Sequence, residues 1–119
     1  KQSKIPGYLE SLEVVQKDIF NNIPELKQVF YQYTVIQMNI MMVREIFNYG
    51  DNSNYSSKVR KSDELLKNKT INEAIKQMKL KDCMSPRFLP VFFIKMGMLP
   101  LARLMFRLRS WSNYKKELR

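Results

Sequence analysis

The segment PELKQVFYQYTVIQMNIMMVREIFNY, from Pro24 to Tyr49 of this 119-residue chain, carries apolar residues at helical spacing over its whole length. One apolar stripe holds Leu26, Val29, Phe30, Tyr33, Ile36, Ile40, Val43 and Phe47, and a second holds Val35, Met38, Met42, Ile46 and Tyr49. A helix that is apolar on more than one side is usually central, with neighbours on both faces. At 1.5 Å per residue it would be ~39 Å long. The segment therefore predicts a long central helix.

Shorter helical patterns lie on both sides of this segment. They cover Gly7–Phe20, Ser57–Lys67, Thr70–Leu80, a segment beginning at Ser85, and Pro100–Lys116. Thr70 and Glu73 have the spacing of a capping box, in which each side chain bonds a free N–H of the first turn. Pro90 should kink the segment that begins at Ser85, or delay its regular part. The predicted fold class is all-α, with five or six helices packed around one long central helix.

Length and composition fit a single domain, residues 1–119. A chain of this size with 45% hydrophobic residues can bury a core without disulfides or metals. Within it, residues 1–84 form a helical scaffold and residues 85–119 the basic amphipathic closing helices. The first residues, KQSKIPG, show neither a starting Met nor a signal-peptide pattern. We therefore expect a fragment of a longer chain in the cytoplasm, and the basic amphipathic closing helices leave open a peripheral position at the inner face of the cell membrane.

The positive charge is concentrated in one part of the chain. The net charge is +10, yet residues 1–50 hold five basic and five acidic residues, so residues 51–119 carry the whole excess. Such a surface predicts an anionic partner, which is a lipid head group, a nucleic acid or an acidic protein. A solvated basic surface without a partner is the alternative. Nucleic acid is disfavoured because the lysines are spread over two short helices without helix-turn-helix spacing.

The stretch FLPVFFIKMGMLPLARLMFRLRSW, from Phe88 to Trp111, is both strongly apolar and basic. It is not expected to cross a membrane, because Lys95 and Arg103 would each cost about 2.5–3.5 kcal/mol in the hydrocarbon. Pro90, Gly97 and Pro100 would also interrupt the helix. Two interpretations remain open: the stretch fills the protein core, or its last helix lies in a membrane interface.

The predicted last helix has an apolar face and a basic one. Leu101, Leu104, Met105, Leu108 and Trp111 share the apolar face. Trp at one end of such a stripe, with arginines around it, is typical of helices that lie in a membrane interface. Phe106 points away from the stripe and is predicted to be exposed. The predicted membrane or partner contacts are Arg103, Phe106, Arg107, Arg109, Trp111, Lys115 and Lys116.

The sequence contains no recognisable reaction centre. No GxGxxG, GxxxxGK[ST], GxSxG or HExxH motif occurs, and there is no histidine. Asp63 and Glu64 are adjacent and diverge on a helix by about 100°, so they cannot hold one metal ion together. Cys83, the single cysteine, is predicted to be a buried or inert thiol. We therefore assign no catalytic, cofactor-binding or metal-binding residue and no cofactor to this chain.

The order of these segments resembles the C-terminal region of bacterial family 2 glycosyltransferases that build capsular polysaccharide or exopolysaccharide. The similar segments are YLESLEVVQKDIFNNIPEL, the Met-rich and aromatic segment after it, the polar basic loop, and MSPRFLPVFFIKMGMLPLARLMFRLR. The resemblance implies a non-catalytic region that supports a missing N-terminal catalytic domain and contacts the membrane surface or a partner. Apolar surface left by that domain would allow self-association. The alternative is a stand-alone basic helical adaptor that binds a protein or nucleic acid.

Overall fold

The computed structural model describes residues 4–117, which form six α-helices and no β-strand. The helices are α1 (Ile5–Asn22), α2 (Lys27–Met41), α3 (Tyr55–Leu66), α4 (Lys69–Gln77), α5 (Leu89–Lys95) and α6 (Leu99–Glu117). Two 3₁₀ turns, Pro24–Leu26 and Leu80–Met84, and one π-helical turn, Met42–Ile46, complete the helical structure. The predicted all-α class is confirmed.

The central helix is built from three consecutive pieces. The 3₁₀ turn Pro24–Leu26 leads directly into α2, and α2 continues into the π-helical turn, so helical backbone runs from Pro24 to Ile46. This rod packs against α1 and α4, while the π-helical turn contacts α3 and α6. Pro24 fits the first position because the N–H that proline lacks would have no helical partner there. The long central helix is thus present and ends three residues before Tyr49.

The two apolar stripes of the central helix have different surroundings. The second stripe supplies the core, with Val35, Met38, Met42 and Ile46 almost completely buried. The first stripe is divided, because its Phe30 is buried whereas Val29 and Tyr33 are exposed. Neighbouring helices therefore cover one side of α2 fully and leave part of the other side open.

The π-helical turn changes the register of the central helix at its C-terminal end. The Phe47 N–H donates to the Met42 carbonyl at 2.8 Å, which spans five residues instead of four. Ile46, within this turn, and Phe47, directly after it, are both buried, while Arg44, also within the turn, stays exposed. π-helical turns inside α-helices occur frequently at functional sites.

The predicted capping box of the fourth helix is wrong. Asn68 is the N-cap of α4, and its Oδ1 accepts hydrogen bonds from the N–H groups of Thr70 (3.0 Å) and Ile71 (3.2 Å). The Thr70 hydroxyl instead donates to Gln16 in α1, at 3.4 Å. An asparagine is as good an N-cap as threonine, so Asn68 starts the helix earlier and frees Thr70 to join α4 to α1.

The closing helices begin later than Ser85. Residues 85–88 form turns, and α5 starts at Leu89 with Pro90 in its first turn. This is the delayed start that Pro90 predicts, because proline cannot donate a helical hydrogen bond but fits a first turn. Gly97 has φ 78°, in the left-handed region that favours glycine, and the chain reverses there into α6.

Lys95 ties α5 to the C-terminal end of α4. Its ammonium donates to the carbonyls of Ile75 (2.9 Å) and Lys76 (3.2 Å). Carbonyl groups in a last helical turn lack helical partners, and a cation there also interacts favourably with the helix dipole. A residue that would be costly in a bilayer therefore has a structural role within this fold.

We expect Lys95→Met to lower the free energy of unfolding by about 1–2 kcal/mol, because it removes charge-assisted hydrogen bonds that are partly screened by solvent. The measurement is urea denaturation followed by circular dichroism. Lys81→Met is the matched control, since Lys81 is exposed in the adjacent 3₁₀ turn. Equal unfolding midpoints for the two variants would show that the Lys95 contacts contribute nothing.

Candidate membrane or partner surface

The core-facing side of α6 consists of one large residue between two small ones. Ala102, Phe106 and Ser110 are buried at successive turns of the helix. The Phe106 ring stacks on Phe47, with centroids 6.2 Å apart and an interplanar angle of 16°. The Ser110 hydroxyl accepts a 2.8 Å hydrogen bond from the Tyr49 N–H. The small side chains allow α6 to approach the end of the central helix closely.

The prediction that Phe106 is exposed is wrong. Only 3% of its surface is accessible, so it is removed from the set of contact residues. Phe106 does lie opposite the leucine stripe, as predicted, but the side of the helix that faces the core is the side of Phe106. Phe106 forms an aromatic pair with Phe47, and this pair joins α6 to the end of the central helix.

The outer side of α6 is apolar as well. Leu101, Leu104, Leu108 and Trp111 are 44%, 44%, 54% and 43% exposed. At about 100° per residue these four positions cluster on the side of the helix opposite Phe106. Since the outer face of a surface helix is normally polar, this apolar face is unusual, and exposed apolar patches of this kind are candidates for interaction surfaces. We call these four residues the outer stripe.

Basic residues border the outer stripe. The Arg107 guanidinium lies 4.7 Å from the centroid of the Tyr55 ring, and the Lys115 ammonium lies 4.4 Å from that of Trp111. Arg109 and Lys116 are also exposed. Cation–π contacts hold a charge beside an apolar surface without hiding it from an anion. Arg107, Arg109, Lys115, Lys116 and Trp111 are thus accessible, and their contact with a membrane or partner stays a prediction.

Arg103 is engaged within the fold. Its guanidinium forms a 2.9 Å ion pair with the Asp63 carboxylate, which joins α6 to α3, and the Arg103 side chain is 19% exposed. The prediction of Arg103 as a free contact for lipid phosphates is therefore wrong. Its physical reason is that α3 places a carboxylate beside this turn of α6, which sequence spacing does not show.

A basic groove lies between the π-helical turn and α6. It has a volume of about 490 Å³. Its walls include Ile36, Ile40 and Val43 from the central helix, Arg44 from the π-helical turn, Arg87 from the turn before α5, and Arg109 from α6. Sequence reasoning singled out Arg109 and missed Arg44 and Arg87. No spacing rule connects these three positions, because the fold brings together three separate segments.

The described side chains bear on two kinds of reactive site, a metal-ligand cluster and an activated thiol. Within residues 4–117 no three His, Cys, Asp or Glu side chains are grouped so that they could hold a metal ion. The Cys83 thiol is buried, as predicted. Burial raises its pKa above the usual value, and the nearby Lys95 ammonium offsets part of that rise. A thiol that is inaccessible and protonated at neutral pH is a poor nucleophile.

The described part of the chain, residues 4–117, contains no helix with the length and apolar character needed to cross a bilayer. The candidate surface consists of the outer stripe, its basic border and the adjacent groove. In comparisons with known proteins, the chain matches no protein-family model, no curated protein and no solved structure.

Proposed function

We propose that this chain is a non-catalytic helical module that docks on an anionic membrane surface through the outer stripe of α6. The observation that supports it is the apolar outer face of α6 with cations at its border. A helix of this composition lies in the membrane plane, with its apolar side among the upper acyl chains and its basic residues at the phosphates. Both apolar sides of α6 are then explained: the side of Phe106 packs in the core, and the outer stripe contacts the membrane.

The expected strength is that of a reversible contact. Full burial of a leucine contributes about 1.5–3 kcal/mol. The residues of the outer stripe are already about half covered by the protein, so each should contribute about 1 kcal/mol. Arg107, Arg109, Lys115 and Lys116 should each add up to about 1 kcal/mol near an anionic leaflet. Neither contribution alone holds the protein firmly, and together they support peripheral binding.

We further propose that the module accompanies the catalytic domain of a bacterial family 2 glycosyltransferase of surface-polysaccharide synthesis. The resemblance of Tyr8–Leu26 and Met84–Arg109 to the tails of such enzymes supports this assignment. The exposed apolar residues Val29 and Tyr33 of the central helix offer a surface for that domain. Docking at the inner face of the cell membrane would bring the enzyme to its lipid-linked acceptors.

Co-sedimentation with vesicles tests the docking. We expect binding to vesicles that contain phosphatidylglycerol and little binding to vesicles of phosphatidylcholine alone. Raising the salt from 0.1 to 1 M shortens the Debye length from about 10 to about 3 Å, so the affinity should fall about tenfold. Equal binding to both vesicle types, or none to either, would contradict the proposal.

Two further readouts separate docking from the alternatives. Indifference to lipid together with tight, salt-sensitive binding of DNA or RNA would favour a stand-alone basic adaptor. Light scattering that shows a stable dimer, with no vesicle binding by either species, would mean that a second copy covers the outer stripe. Binding to anionic vesicles together with self-association at high protein concentration is the result expected for a module that lacks its catalytic domain, and a clean monomer at high concentration would argue against the missing domain.

A further inference from the structure

The basic groove beside the π-helical turn has the charge of an anion site. Three arginines, Arg44, Arg87 and Arg109, are among the residues that line it, and no acidic residue is. None of the three forms an ion pair with a carboxylate in the described residues 4–117. In the same part of the chain Arg103 has its own carboxylate partner. The arginines of the groove therefore keep their charge available to a ligand.

Aliphatic residues also line the groove. Ile36, Ile40 and Val43 belong to the first stripe of the central helix, and they are only partly buried. A volume of about 490 Å³ lies within the range of about 300–1,000 Å³ that ligand sites occupy. A site lined by both arginines and aliphatic side chains fits a ligand that has an anionic and an apolar part.

Asn39 fixes part of this geometry. Its Nδ2 donates to the carbonyl of Arg87 at 3.2 Å, which holds the turn before α5 against the central helix. Its Oδ1 is buried and has no hydrogen-bond partner in the structure. An amide oxygen accepts hydrogen bonds and cannot bond an ionised phosphate oxygen, so Asn39 acts here through its hydrogen bond to Arg87 and not as a ligand of the anion.

The acidic residues nearest the groove lie outside it. Glu45 and Glu117 line the neighbouring groove, which shares Val43, Arg44 and Asn113 with this one. The Glu45 carboxylate accepts a 3.1 Å hydrogen bond from the Lys4 backbone N–H. Positive charge therefore predominates around Arg87 and Arg109, and the end of the groove near Arg44 is less basic.

We infer that this groove binds a phosphate ester. Guanidinium groups bind phosphate oxygens with paired, charge-assisted hydrogen bonds, and they do so better than lysine. Two sources have this chemistry: the headgroup of an anionic lipid, whose first methylenes would contact Ile36 and Ile40, and a soluble phosphate ester. The inference does not rest on membrane docking, because Arg44 and Arg87 lie outside α6 and only Arg109 is shared between the groove and the basic border of the outer stripe.

Calorimetric titration with soluble probes tests the site. The probes are glycerol phosphate, dihexanoyl phosphatidic acid below its micelle concentration, and dihexanoyl phosphatidylcholine. We expect both phosphate monoesters to bind and phosphatidylcholine to bind at least tenfold more weakly. Tighter binding of the phosphatidic acid than of glycerol phosphate assigns the lipid source, and equal binding assigns the soluble ester. Binding of neither monoester overturns the inference.

The matched variants are Arg44→Gln/Arg87→Gln and Arg60→Gln. All three arginines are exposed, and Arg60 lies on α3, outside the groove. We expect the double variant to lose about tenfold or more in affinity and Arg60→Gln to bind as the wild type does. If each replaced arginine lowered the affinity by the same factor, the ligand would be attracted by the basic surface in general, and the proposed site would be wrong.

A third readout covers the case of a double variant that folds poorly. In the wild-type protein, the Nε–Hε signals of Arg44, Arg87 and Arg109 should shift in NMR spectra on titration with glycerol phosphate, while that of Arg60 should not. Uniform shifts of all arginine signals would again overturn the site. Because no vesicle is present, failure here leaves membrane docking standing, and failure of vesicle binding leaves this site standing.

Discussion

Replacing Phe106 by alanine should lower the free energy of unfolding by about 3–5 kcal/mol, the cost typical of removing a buried phenylalanine ring. Phe106 is 3% exposed and stacks on Phe47. Its loss would leave a cavity where α6 meets the end of the central helix. Small domains are stabilised by only about 5–15 kcal/mol in total. The variant should therefore unfold at a much lower urea concentration.

Leu108→Ala is the control for this experiment. Leu108 lies about half a helical turn away from Phe106 and is 54% exposed, so its truncation should cost less than about 1 kcal/mol. The comparison decides which side of α6 faces the core. If Leu108→Ala were the more destabilising of the two, the leucine side would be internal and the outer stripe would not exist in solution.

The helices of this fold could be predicted because their signals are local. The apolar stripes of residues 24–49 and the prolines at 24, 90 and 100 specify where helical backbone runs and where it stops. Errors arise where two local signals compete. Asn68 and Thr70 are both good N-caps, and the structure uses Asn68, so the helix begins one residue before Thr70.

The orientation of α6 could not be predicted in the same way. Spacing separates Phe106 from the leucines, but both sides are apolar, and hydrophobicity alone favours burial of the larger leucine stripe. The structure buries the side with Ala102 and Ser110 instead, because small residues allow close packing and because Ser110 satisfies the Tyr49 N–H. Both reasons depend on what α6 packs against, which is tertiary information.

In the candidate site, too, features that lie on one helix could be predicted, and features that join distant segments could not. The basic border of the outer stripe was accessible to sequence reasoning because Arg107, Arg109 and Lys115 lie on one helix with Trp111. The ion pair of Arg103 with Asp63 and the grouping of Arg44, Arg87 and Arg109 were not, since each joins segments that are at least 22 positions apart in the chain. Without related sequences, only the folded structure reveals such contacts.

Replacing Leu104 and Leu108 together by glutamine should reduce the affinity for phosphatidylglycerol vesicles by about 30-fold or more. The two exposed leucines would each contribute about 1 kcal/mol or more on entering the acyl region, and about 2 kcal/mol corresponds to about 30-fold in a binding constant. The charge of the protein does not change, so long-range attraction to the vesicle is retained. The loss therefore measures the apolar part of the contact alone.

Val14→Gln/Val29→Gln is the matched control, since these valines are 64% and 60% exposed on α1 and α2. That double variant removes exposed apolar surface from another side of the molecule and should bind vesicles as the wild type does. Melting curves of both variants check that the fold is retained, which half-exposed positions make the expected result. If the valine variant lost the affinity and the leucine variant kept it, the α1–α2 side would face the membrane. In that case we would expect a protein partner to bury the outer stripe, because its apolar residues would still be exposed in the membrane-bound protein.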